Sequence, residues 1–89
     1  APKIFQLLQN FPNPFNPSTE IRYSLSKDSP VSIKVYDVLG REIVTLTNSS
    51  HKSGSYKLDF MPENISSGVY FYSLITPEFR KTMKMIYQN

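Results

Sequence analysis

Eighty-nine residues, 39% hydrophobic and 19% charged with a net charge of +3, describe one small globular domain. No apolar run approaches the roughly 18 residues of a membrane-spanning helix, and the ten basic residues are scattered rather than drawn into the stripe of a nucleic-acid binder. With no cysteine and a single histidine, the usual zinc sets are excluded and core packing alone must hold the fold.

The only alanine is Ala1, whereas six tyrosines and six phenylalanines accompany many β-branched residues, a composition that favours strands. Seven apolar runs follow one another at close to the spacing of about 8–12 residues expected in a β-sandwich. Ala1 to Lys3 reads as a linker remnant, and no leader-like stretch precedes the first run. Any export signal is therefore expected on a part of the precursor outside this chain.

Run one is Ile4 to Leu8, and it ends at Phe11-Pro12-Asn13-Pro14-Phe15-Asn16-Pro17, where three prolines forbid regular ladder pairing. Phe11 and Phe15 are expected to pin this loop to the core. Run two, Thr19 to Leu25, alternates cleanly, with Ile21, Tyr23 and Leu25 on one face. Run three repeats the pattern with Val31, Ile33 and Val35. Asp37 to Gly40 then reads as a hairpin turn: the Asp37 carboxylate accepts backbone N–H bonds and Gly40 takes the left-handed position.

Run four, Glu42 to Leu46, is followed by a polar connection from Thr47 to Ser53. Run five carries Tyr56, Leu58 and Phe60 on one face, and Met61 to Gly68 is a connection with room for one helical turn. Run six, Val69 to Ile75, is apolar on both faces, which predicts a central strand covered on both sides. Run seven, Phe79 to Tyr87, has Phe79, Met83, Met85 and Tyr87 in phase. The fold expected is an all-β, seven-stranded antiparallel immunoglobulin-like β-sandwich.

No catalytic constellation emerges. His51 lies in a polar Ser-Ser-His-Lys-Ser-Gly stretch and is expected to be an exposed loop residue without a nucleophile beside it. The acidic residues lack the dense spacing of a calcium loop. Neither a metal nor a cofactor is therefore expected, and no enzyme. Tyr36, Tyr70 and Tyr72, if exposed, would offer a sugar-stacking platform, although tyrosines on a sandwich are more often cross-strand partners.

Taken in order, Phe11-Pro12-Asn13-Pro14-Phe15-Asn16-Pro17-Ser18-Thr19, Val35-Tyr36-Asp37-Val38-Leu39-Gly40-Arg41-Glu42, Gly54-Ser55-Tyr56, Ser67-Gly68-Val69-Tyr70-Phe71-Tyr72 and Lys84-Met85 form a series. It resembles the type A C-terminal sorting domain of the type IX, or Por, secretion system, over nearly the whole chain. The resemblance implies a non-catalytic signal at the C-terminus of a larger protein from Bacteroidota or related bacteria. It implies as partners an outer-membrane translocon and a sortase-like peptidase. The passenger joined to such a domain is commonly a hydrolase or adhesin, delivered by way of the periplasm to the cell surface or medium.

By that resemblance, Pro12, Asn13 and Pro14 match the family's first loop, Asp37 and Gly40 its hairpin turn, Gly54 and Tyr56 its fifth strand, and Gly68, Val69 and Tyr70 its sixth. Lys84 and Met85 match the basic-apolar pattern of the last strand, and Lys81, Lys84 and Met85 are the candidates for translocon recognition. An exposed lysine on an edge strand also blocks unwanted pairing, which is the competing explanation. The alternative functions are an accessory carbohydrate-binding module of a secreted enzyme and a structural immunoglobulin-like interaction module.

Overall fold

A computed structural model describes residues 2–89; Ala1, the first residue of the expected linker remnant, lies outside the described residues. Seven strands form: β1 Gln6–Leu7, β2 Thr19–Leu25, β3 Ser29–Tyr36, β4 Glu42–His51, β5 Gly54–Phe60, β6 Gly68–Ile75 and β7 Arg80–Tyr87. They build two antiparallel sheets, one ordered β1-β2-β5 and the other β4-β3-β6-β7, so the chain is the expected all-β sandwich. This is an immunoglobulin-like order in which the fourth strand extends the larger sheet.

Period-two alternation determines which faces meet. Ile21, Tyr23 and Leu25 from β2 and Phe60 from β5 face Val31, Ile33 and Val35 from β3, Tyr70, Tyr72 and Leu74 from β6, and Met85 and Tyr87 from β7. Their burial supplies most of the stabilisation available to a cysteine-free chain, at about 25 cal/mol per Å² of apolar surface removed from water. No buried side-chain nitrogen or oxygen lacks a hydrogen-bond partner among the described residues.

The structure departs from the sequence expectations in particular places. β1 is two residues long; Leu7 is buried and Phe5 packs partly against the core, while Ile4 and Leu8 stay exposed. β4 continues to His51 through the polar stretch expected as a loop, since backbone ladder bonds to β3 do not depend on apolar side chains. No helical turn forms between β5 and β6; the chain instead turns with Asn64 at φ 60°. β6 is central within its sheet but packed on one face only, so Val69, Phe71 and Ile75 on the other face are half-buried by their neighbours in the sheet.

The β3–β4 turn forms as expected. The Gly40 N–H donates to the Asp37 carbonyl (3.0 Å), and the N–H groups of Leu39 (2.9 Å) and Arg41 (3.0 Å) donate to Asp37 Oδ1. Gly40 has φ 81°, the left-handed region that other residues enter at a cost. Those N–H groups, that of Arg41 first, together with the Arg41 guanidinium, hold the Asp37 carboxyl below the usual carboxylate range.

Candidate functional site

The proline loop has a definite task, which is to cover the free edge of β7. Strand β7 is the last of its sheet, so one row of its backbone groups has no neighbouring strand. Phe15 donates its N–H to the Ile86 carbonyl (3.0 Å), and the Gln88 N–H donates to the Phe15 carbonyl (3.1 Å), a one-residue parallel bridge. Asn13 Oδ1 accepts the Ile86 N–H (2.9 Å), and Gln9 Nε2 donates to the Lys84 carbonyl (2.7 Å). The loop therefore serves as a substitute strand over residues 84–88, and the edge from Arg80 to Thr82 stays open.

Proline suits such a clasp, because it fixes φ and carries no N–H that would be left without an acceptor. Phe15 is the anchor: it is buried, with its ring 5.2 Å from that of Tyr87 and 6.0 Å from that of Phe60. Phe11, expected as a second anchor, is 78% exposed; it is held instead by backbone bonds in both directions with Glu20.

Behind the loop lies a buried polar knot that the sequence reading missed. Asn10, 2% exposed, donates its backbone N–H to Tyr72 Oη (2.8 Å) and its side-chain amide to Thr19 Oγ1 (3.0 Å) and the Pro12 carbonyl (3.2 Å). Tyr72 in turn donates to the Leu8 carbonyl (2.6 Å), and Thr19 donates to the Pro12 carbonyl (2.8 Å). Burial pushes the Tyr72 phenol up to about 12, so at neutral pH it remains the donor this knot needs. The one cue was a polar residue placed between an apolar run and three prolines, which periodicity does not read.

Three of the matched motif segments converge here. Gly68, Val69 and Tyr70 pair in register with Tyr87, Ile86 and Met85, opposite the side that the Pro12-Asn13-Pro14 loop covers. Asp37 and Gly40 sit in the β3–β4 turn, two strands away, and Gly54 and Tyr56 lie in the other sheet. Of the recognition candidates, Lys81 and Lys84 are exposed and make no ion pair among the described residues. Met85 is fully buried, facing the core beside Tyr70, so its part is packing and the folded domain does not present it to a partner. Tyr70 and Tyr72 are buried as well, which removes two of the three side chains from the sugar-stacking platform.

His51 is not the exposed loop residue expected. It ends β4, half-buried against Tyr56 and Tyr23, with ring centroids 4.8 Å and 5.9 Å away. Nδ1 lies 3.1 Å from the Ser49 carbonyl, so in the neutral ring it carries the proton. Nε2 then accepts from the Tyr23 hydroxyl at 3.0 Å. Burial first, and Tyr56 second, push the Tyr23 phenol up. This arrangement closes one end of the sandwich and activates no nucleophile.

The described residues form an all-β module whose motif segments converge on a clasped terminal strand, which carries exposed Lys81 and Lys84 on its two opposite faces. Residues 9–88 match the Por secretion-system C-terminal sorting domain, and the chain belongs to that family. Members act as a secretion signal, which implies secretion through the outer membrane and interaction with the secretion machinery. No curated protein and no solved structure matches the chain.

Proposed function

We propose that residues 1–89 form the single C-terminal sorting domain of a larger secreted protein, and that the outer-membrane translocon reads it as a folded surface centred on β7. Lys81 and Lys84 are the contacts, and the Pro12-Asn13-Pro14 loop holds the strand that carries them. A sortase-like peptidase then acts on the cargo, leaving a hydrolase or adhesin passenger at the cell surface or in the medium. The observation that supports this reading is the convergence of three motif segments on one strand whose lysines are exposed and, among the described residues, unpaired.

Deleting the last strand would be a poor test, because Met85 and Tyr87 are core residues and the truncated chain would not fold. Charge reversal is cleaner. The chain is fused to a periplasm-directed fluorescent protein in a bacterium with a working type IX system. The wild-type fusion is expected outside the cell, and the Lys81→Glu, Lys84→Glu variant in the periplasm. The variant should fold with a stability change within about 0.5 kcal/mol, as for other exposed substitutions. Normal delivery of a folded double variant would sink the reading.

A further inference from the structure

The two margins of the sandwich are finished differently. At the β1/β7 margin the proline loop and the Phe15–Tyr87 bridge cover the edge over residues 84–88 and leave only Arg80 to Thr82 open. At the other margin β4 and β5 are the outer strands of opposite sheets, and no ladder joins them. Between them runs a groove of about 560 Å³ whose apolar lining includes Ile43, Val44, Leu46 and Met61. Met61 is 65% exposed, and Ile43 and Val44 are 37% and 36% exposed.

Soluble proteins usually defend such an edge with lysine, proline or a covering loop. The stretch Ile43-Val44-Thr45-Leu46 has none of these; its pairing with β3 shifts register at Leu46 and at Ile43, which bends the strand locally, and its composition favours strand pairing. Asp59 and Glu63 also line the groove, and neither makes an ion pair or side-chain hydrogen bond among the described residues, whereas Glu42 nearby is paired with Lys34 at 3.1 Å. Two carboxylates unpaired among the described residues, beside an edge that no lysine, proline or loop covers, in a chain that is otherwise net basic, define the chemistry of what fits there.

We infer that the β4 edge accepts an extended segment of a protein partner in which apolar and basic residues alternate. The segment adds a strand to the β4-β3-β6-β7 sheet, seats its apolar side chains among Ile43, Val44 and Met61, and directs its cations to Asp59 and Glu63. Main-chain bonds supply the affinity, and the alternating pockets and charges supply the selectivity. The inference rests on the sorting reading only in placing that partner within the secretion machinery. It identifies a second contact surface, on the margin away from the β7 clasp.

The test uses the 89-residue chain and three hexapeptide probes, alternating valine with lysine, with glutamate or with serine, followed by amide NMR shifts. Shifts confined to residues 42–46 and 59–65, with the lysine probe binding at least about tenfold tighter than the glutamate probe, are expected. Asp59→Lys with Glu63→Lys should invert that order while leaving the unbound spectrum dispersed. Absence of shifts along β4 at about 1 mM of every probe, or equal binding of all three, overturns the inference. So does concentration-dependent dimerisation through β4 in sedimentation, which would make a second copy the occupant. A parallel delivery assay of the wild-type fusion separates the two claims. Delivered cargo with no probe binding removes the groove alone, whereas probe binding with undelivered cargo removes the sorting reading alone.

Discussion

Replacing Tyr72 with phenylalanine removes one oxygen from the centre of the molecule and tests whether the polar knot holds the clasp. The ring stays, so no cavity term enters. What is lost is the acceptor of the Asn10 N–H and the donor to the Leu8 carbonyl. Asn10 is 2% exposed, and a buried donor left without a partner costs about 1–3 kcal/mol. Leu8 is 39% exposed, so its carbonyl can turn to water and adds little. The expected loss is about 2 kcal/mol, a fall in Tm of about 8–16 °C for a domain of this size. A second signature lies at alkaline pH. Burial raises the folded-state phenol to about 12, so from about pH 10 upward the unfolded chain ionises first. The contribution of Tyr72 is therefore fully present below pH 10 and is lost, by on the order of 2 kcal/mol, as pH rises towards 12. Phenylalanine at this position should flatten that limb. Urea titrations of both proteins at a series of pH values, with amide exchange at Ile86, measure all of this. A fall in Tm under about 2 °C, or an alkaline limb of unchanged slope, would refute the argument.

Gly40→Ala should cost about 1 kcal/mol by backbone strain alone, since no atom lies within 4 Å of the added Cβ, and Gly40→Asn should recover part of it; thermal melts of the pair check this. Asn13→Ala removes the acceptor of the Ile86 N–H, and exchange at that amide should accelerate while amides in β3 keep their protection. On the acid side, Glu20, held down first by its hydrogen bond from Arg22, Asp37, held down first by the Arg41 N–H, and Glu42, held down first by the Thr45 hydroxyl, all sit below their ordinary values. Their contribution is present above the unfolded carboxylate range and is lost as pH falls through the lowered folded values. Stability measured from pH 6 to 2 should therefore decline through the window below about pH 4.5, and Asp37→Asn should shallow that decline.

Alternation made the core legible. Ile21, Tyr23 and Leu25, or Val31, Ile33 and Val35, declare their face because each strand lies against one partner sheet and water. The far half of β4 was illegible for the opposite reason. Thr47-Asn48-Ser49-Ser50 joins β3 through main-chain groups at the rim and a bond from Ser32 Oγ to Asn48 Oδ1 (3.0 Å), neither of which leaves an apolar period. β6 misled differently, since Val69, Phe71 and Ile75 are apolar without a second layer above them and are shielded only by neighbours in their own sheet. The site was legible as parts and not as an assembly. Pro12 to Pro14, Gly68 to Tyr70 and Lys84 could each be singled out, but only the register of β6 with β7 and the reach of Asn13 to Ile86 bring them to one strand. Gln9 and Asn10 carried only the cue of their place between an apolar run and three prolines, because the partners that give them their role, Lys84 and Tyr72, lie 75 and 62 residues away.

That assembly bears on how a sorting signal of this kind can be dissected. Most positions that carry the family resemblance set a turn, cover an edge or fill the core, so changing them alters the fold and the signal together. Loss of delivery after substitution of Phe15, Gly68 or Tyr70 would not separate recognition from stability, since a marginally stable domain loses a large share of its native population for 2 kcal/mol. The informative positions are those whose side chains the fold does not use. Lys81 and Lys84 on β7 qualify, and so do Asp59 and Glu63 beside β4, because all four are exposed and unpaired among the described residues. If delivery follows the charge at these positions while Tm stays constant, the machinery reads the folded surface. If delivery follows Tm alone, whatever the substitution, then being folded is the whole of the signal.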